Sequence, residues 1–242
     1  MAGRATPKIH VLAGVNGAGK SSIGGAAIRE AGGEYYNPDE VARQLRAQNR
    51  HLRQSEANAK AWQTGKLLLE RAIRERLDFA FETTLGAATL PSLLLEAARS
   101  GFEIHIWYAG LATAEQHIER VKTRVRFGGH DIPEADIRRR FDKSRLNLVS
   151  LLPIITSLRL FDNSRDANPQ EGREPEPLLL LHVENGRIRS HCSPALTPTW
   201  AKPIIVAALK ALAERPTRGD SASQRAPALL AACGRPNQAQ RQ

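Results

Sequence analysis

The chain has 242 residues, 41% of them hydrophobic and 25% charged, which is ordinary globular material and enough for one α/β domain with a full core. No apolar run approaches the roughly 18 residues a bilayer span needs, the opening MAGRATPKIH has no apolar signal core, and Cys192 and Cys233 are the only cysteines, so a cytoplasmic protein without membrane span, leader or disulfide framework is expected. The net charge of +10 overstates any basic surface: residues 215–242 hold five Arg and one Asp, which account for +4 and leave +6 for the body. With only three Trp and three Tyr to stack bases, nucleic acid is not the expected partner.

In chain order, β-rich runs alternate with longer segments of helical spacing, the pattern of βαβ units and a parallel sheet. Strands are expected over 9–13, 34–37, 79–82, 103–108 and 158–161, with helices over 21–31, 57–76, 90–100, 114–124, 134–152 and 201–214. A further helix is expected to start at Asp39. Thr113 and Gln116 have the spacing of a capping box, Pro133 suits a helix first turn, and Pro153 ends that helix. A sixth run, 178–183, reaches Glu184-Asn185-Gly186, a hairpin turn into Arg187-Ile188-Arg189, and this pair reads as an appended edge ribbon. Residues 163–177 read as a loop. The chain therefore reads as one domain over residues 5–214 with a disordered basic tail over 215–242.

Gly14-Val15-Asn16-Gly17-Ala18-Gly19-Lys20-Ser21 fits G-x-x-x-x-G-K-S between a strand and a helix. In such a loop the glycines let backbone N–H groups curl around phosphates, the Lys20 ammonium bridges the β- and γ-phosphates, and the Ser21 hydroxyl ligates Mg²⁺. Gly14, Asn16, Gly17, Ala18, Gly19, Lys20, Ser21 and Ser22 are the nucleotide-binding candidates. The loop implies a bound nucleoside triphosphate, ATP or GTP. It does not say where the terminal phosphoryl goes.

Side chains beyond the carboxyl ends of the strands carry that information. Asp39, in YNPDEVARQL, is placed to orient or deprotonate an acceptor hydroxyl or to hold Mg²⁺ through water; alternatively Asn37, Pro38 and Asp39 merely start a helix. Glu82, Thr83 and Thr84, in FAFETTLG, suit hydrogen bonds to a polyhydroxylated ligand, unless the threonines only cap the next helix.

Residues 120–148 place two arginine-bearing helices around Gly128-Gly129, the composition of a mobile lid that neutralises transferring charge and excludes water. Arg120, Arg124, Arg126, Arg138, Arg139 and Arg140 are the candidates. Nine basic residues share the stretch 115–145 with six acidic ones, so a solvated hairpin with surface ion pairs is the other reading. For His130, after the hinge, a loop-stabilising hydrogen bond is favoured over substrate contact.

Taken in order, GVNGAGKSS, NPDEVAR, FETTL, RVRFGGHDIPEADIRRRF and LFDNS resemble the zeta-toxin-like P-loop kinases over about residues 7–165, in particular the compact bacterial branch labelled as predicted ABC-type ATPases. No L-S-G-G-Q-like signature supports that ABC label. The resemblance implies a kinase-like, doubly wound, mostly parallel α/β sheet with a helical lid. It further implies phosphorylation of UDP-N-acetylglucosamine on a sugar hydroxyl, and a small antitoxin protein as partner. On this alignment Lys20 and Ser21 bind the triphosphate and Mg²⁺, and Asp39 is the catalytic base. Asn37 stands where the family often has an Asp, and Glu82 and Thr84 hold the sugar nucleotide. Arg126 with Arg139, or alternatively Arg124 with Arg138, form the catalytic arginine pair.

The expected function is thus γ-phosphoryl transfer from Mg-ATP or Mg-GTP to a small-molecule hydroxyl. Two rivals stand beside it: a kinase of nucleic-acid 5′-hydroxyls, and a P-loop ATPase or binding module driving a partner.

Overall fold

In a computed structural model of the chain, residues 5–25, 35–165 and 177–213 are described. Six strands form one sheet in the order β2-β1-β3-β4-β5-β6. Strands β1 (Lys8–Ala13), β2 (Phe79–Thr83), β3 (Glu103–Gly110) and β4 (Ser157–Asp162) run parallel, and β5 (Leu178–Glu184) and β6 (Arg187–His191) are added antiparallel at one edge. The appended ribbon is therefore present. Its turn places Asn185 and Gly186 at φ 52° and 68°, the left-handed pair that a two-residue hairpin matching the strand twist requires.

Among the described residues six α-helices accompany the sheet: α1 (Pro38–Gln48), α2 (Gln54–Glu75), α3 (Thr89–Arg99), α4 (Ala114–Arg126), α5 (Glu134–Leu151) and α6 (Lys202–Ala213). Alternate residues of β1, β3 and β4 (Ile9, Val11, Ile104, Ile106, Leu158 and Leu160) are buried in one core with Leu69 of α2, Leu94 of α3, Leu148 of α5 and Ile204 of α6. Burying each such side chain contributes about 1.5–3 kcal/mol, and truncating one to alanine costs about 2–5 kcal/mol. A separate cluster of Val15, Ile118, Val121, Ile132 and Ile137 ties α4 and α5 to the glycine-rich loop.

Several local expectations are corrected. The strand expected over 34–37 is a single parallel bridge, Tyr36 to Phe81, closed by Tyr36 N to Ala80 O at 2.8 Å and Glu82 N to Tyr36 O at 2.9 Å. Glu34 and residues 26–31 of the first expected helix lie outside the described residues, and Ser21–Gly25 is a short π-type turn. The capping box is half formed: the Thr113 hydroxyl accepts from Gln116 N, but the Gln116 side chain reaches back to Ala112 N. Pro133 precedes the first turn of α5 as its cap residue, and Pro153 falls in a 3-10 turn, Leu152–Ile154, that tightens the helix end. The expected tail, 215–242, lies outside the described residues.

Candidate active site

The glycine-rich loop leaves β1 at Ala13. Gly14 has φ +138°, and a Cβ there would stand 2.1 Å from the Ala109 carbonyl oxygen of β3, so the first loop position must be glycine for both conformational and steric reasons. At Gly19, φ +81°, a Cβ would meet the Asn163 amide at 2.5 Å. That amide, just beyond β4, donates to Ala18 O at 2.9 Å. From α4 the buried His117 Nδ1–H donates to Asn16 O at 2.8 Å. Burial lowers the His117 pKa to about 4, so the ring holding the loop is neutral.

Strand β2 brings Glu82 to the loop. Its carboxylate is about nine-tenths buried and lies 3.4 Å from the equally buried Lys20 ammonium. It accepts from the Ser21 hydroxyl at 2.8 Å and the Asn37 amide at 3.2 Å. A buried carboxylate needs such partners, because neither charge tolerates low dielectric alone. Beyond Glu82 the chain turns sharply. Leu85 is buried at φ 51°, and the Thr83 and Thr84 hydroxyls accept from Leu85 N and Gly86 N. Asn147 of α5 braces the same turn by donating to Leu85 O and Ala87 O. The threonines thus shape the strand mouth and do not cap α3, whose cap residue is Ala88.

Asn37 caps α1, accepting from Asp39 N and Glu40 N while donating to Glu82, so capping and site contact occur in one side chain. Asp39 sits in the first turn of α1, its carboxylate 44% exposed. Arg124 Nη1 approaches it at 3.7 Å and His130 Nε2 at 3.8 Å. Burial pulls the His130 pKa below its usual value, so at neutral pH this ring is uncharged and Arg124 supplies the cation. Arg124 also donates to His130 O, folding the Gly128-Gly129 hinge back onto α4. Arg140 of α5 donates to Asn16 Oδ1 at 2.8 Å and lies 3.6 Å from Asp136. Burial lowers its pKa below the usual arginine range, with Asp136 opposing.

Lys20, Asn37, Asp39, Glu82, Thr83, Thr84, His130 and Arg140 line one cleft of about 350 Å³, together with Asn58, Ala59 and Trp62 of α2 and with Leu85, Ala87 and Leu90. The expected arginines divide. Arg124 and Arg140 approach the cleft residues, and Arg120 stands beside Gly17, its Cβ 3.3 Å from where a Gly17 Cβ would lie. Arg126 faces a different hollow between α4 and α5, Arg138 pairs with Glu115 at the surface, and Arg139 pairs with Asp136 with its side chain 63% exposed. In this arrangement neither Arg126 with Arg139 nor Arg124 with Arg138 converges on the cleft. Of the remaining loop positions, Ala18 is buried and Ser22 is exposed. Trp62, Asn58 and Asp136 were missed; the only sequence signal for the first two is their spacing of four on one helix face. Among the described residues no group of three or more acidic, His or Cys side chains forms a ready metal cage, and no helix is long and apolar enough to cross a membrane.

A glycine-rich loop after β1, a carboxylate from the adjacent strand and a helical hairpin above them define a P-loop domain of kinase-like fold. The particular family follows from the sequence: residues 9–143 match the family described as AAA domain, and the chain belongs to it. An uncharacterized protein of Haemophilus influenzae is 32% identical over 128 residues, covering 53% of this chain and 88% of that protein. Among solved structures, AvrRxo1-ORF1 in complex with ORF2 superposes with a TM-score of 0.61 at 15% identity over 86% of this chain and 71% of that one, and an AvrRxo1-ORF1:ORF2 structure with ATP gives 0.60 at 16% identity over 89% and 67%. A further AvrRxo1-ORF1:ORF2 structure, with sulphate ions, is covered over 64% of its length. The PezAT chromosomal toxin-antitoxin system of Streptococcus pneumoniae gives a TM-score of 0.52 at 15% identity over 87% of each chain. At these identities the likeness is one of fold.

Proposed function

We propose that the protein is a phosphotransferase that moves the γ-phosphoryl of ATP or GTP to a hydroxyl of a small molecule seated in the cleft. The observation that carries this reading is that Lys20, Asp39 and Arg140, from three separate elements, line the same cleft. A hydrolase has no need of a walled pocket for an acceptor beside its phosphate loop. The Ser21 hydroxyl and Glu82 carboxylate, 2.8 Å apart, are hard oxygen donors of the kind Mg²⁺ takes, and they would hold it. When bound, the ion neutralises charge on the phosphate oxygens.

In this scheme Lys20 exchanges Glu82 for the β- and γ-phosphates, while Asp39 accepts the acceptor proton as the hydroxyl oxygen attacks the γ-phosphorus and the nucleoside diphosphate leaves. Arg140 and Arg124, on the hairpin that acts as a lid, stabilise the transferring charge and exclude water. Thr83 and Thr84 stand at the strand mouth where the acceptor enters. The zeta-toxin-like motifs make UDP-N-acetylglucosamine the first acceptor to test, and together with the fold likeness to the PezAT toxin-antitoxin system they make a small antitoxin the partner to seek.

The test is a mass-spectrometric screen of nucleotide sugars, nucleosides and a 5′-hydroxyl oligonucleotide with Mg-ATP, beside a Lys20→Ala control. A phosphorylated small molecule absent from the control is expected. ADP without any phosphorylated acceptor would overturn the reading in favour of an ATPase.

A further inference from the structure

We infer that Trp62, with Asn58 one turn before it on α2, forms a stacking subsite in the cleft for a planar heteroaromatic ring borne by the acceptor, and so determines acceptor specificity; this rests on the phosphotransfer proposed above. The chain has three tryptophans. Trp200 is buried, stacks at 6.3 Å on Tyr108 and donates to Asp162; Trp107 sits 6.0 Å from Phe161, with Arg159 over its ring at 5.0 Å. Trp62 differs from both. It is 38% exposed, opens onto the cleft, and stacks on no ring among the described residues.

Leaving indole surface wet forgoes stabilisation that a flat ligand restores. The cleft lining includes apolar groups, Ala59, Leu85, Ala87 and Leu90, together with the charged Lys20, Asp39 and Glu82. The cleft is therefore amphipathic, with apolar surface available to a ring as well as charged groups for the phosphoryl. Asn58 supplies one directional group. Its Oδ1 accepts from Gln54 at 2.8 Å, which orients the amide and leaves Nδ2–H to donate to a ring-edge oxygen or nitrogen. A heteroaromatic ring needs a face and one or two edge contacts.

The experiment uses the full chain with the donor site filled by Mg²⁺ and a non-hydrolysable ATP analogue, so that added ligand reads the cleft alone. Uridine monophosphate is the ring-bearing probe and N-acetylglucosamine 1-phosphate the ring-free comparator, followed by tryptophan fluorescence and calorimetry. Uridine monophosphate is expected to quench fluorescence in the wild type, to bind Trp62→Phe within a few-fold, and to bind Trp62→Ala about tenfold or more weakly. In turnover with UDP-N-acetylglucosamine, Trp62→Ala should raise KM by a similar factor and leave kcat nearly unchanged. Equal binding of the nucleotide by wild type and Trp62→Ala, or quenching by the comparator alone, would overturn the subsite. Trp62-dependent binding with no phosphorylated acceptor would leave the subsite standing and remove the phosphotransfer, so the two failures separate.

Discussion

The Arg140 guanidinium donates to the side-chain oxygen of Asn16 at 2.8 Å, tying the second helix of the lid hairpin to the glycine-rich loop across 124 residues of sequence. Asn16 is gripped twice, since its backbone oxygen also accepts from His117 of the first lid helix. Loop and hairpin are therefore joined by two hydrogen bonds at a single residue.

Arg140 should be the costliest of the lid arginines to lose. Arg140→Ala is expected to lower kcat by about 10²–10³-fold, the range for removing one preorganised donor from a transferring charge. Arg126→Ala, whose side chain lines a separate hollow, and Arg139→Ala, whose largely exposed side chain pairs with Asp136, should cost much less. Steady-state assays of the full alanine series, with ATP affinity measured separately, rank them; an Arg126 effect equal to that of Arg140 would contradict the arrangement.

Asp39→Ala should remove about 10²–10⁴-fold of transfer while sparing ATP binding, because the carboxylate lies at the start of α1 and, among the described residues, pairs with Arg124 and His130 and not with the glycine-rich loop. Calorimetric titration with ATP alongside single-turnover transfer checks both halves. Full activity in the variant would discard the base assignment.

Glu82→Gln leaves the buried Lys20 ammonium without its carboxylate. Breaking a buried pair from one side costs about 3–5 kcal/mol, so the melting temperature of the nucleotide-free protein should fall. A triphosphate gives Lys20 a new partner, so saturating ATP should restore much of the loss. Thermal melts with and without nucleotide make the comparison, and an unchanged melting temperature would show that the pair is energetically idle.

His117 sets a pH dependence whose sign is fixed by its depressed pKa. Burial lowers the folded value from 6.5 to about 4, so between these values the unfolded chain binds the extra proton and stability rises with pH. The contribution is complete above pH 6.5, is lost as pH falls toward 4, and amounts to roughly 3 kcal/mol at most, taking about 1.4 kcal/mol per pH unit. Denaturant unfolding at pH 7 and pH 5 should show this slope in the wild type and a shallower one in His117→Gln. An identical slope would assign the acid lability elsewhere.

Much of this protein is legible in local sequence, because the interactions responsible are local. Gly14 and Gly19 mark a loop that only glycine can follow, Asn185-Gly186 marks the hairpin, and alternation along β3 and β4 marks the buried sheet face. Asn37 announces a cap, which it is, but its second bond to Glu82 reaches 45 residues away and carries no local trace. Tertiary packing decided the remainder. Six arginines of this stretch have similar sequence surroundings, and only the docking of α4 and α5 on the loop brings Arg124 to Asp39 and Arg140 to Asn16 while setting Arg126 in a separate hollow and leaving Arg139 largely exposed. The parallel pairing of β2 with β1 sets Glu82 against Ser21 across 61 residues, and the packing of α2 against α1 puts Trp62 in the cleft wall. Side chains distant in sequence meet only when the whole core has closed, since the apolar surface that brings them together belongs to other residues.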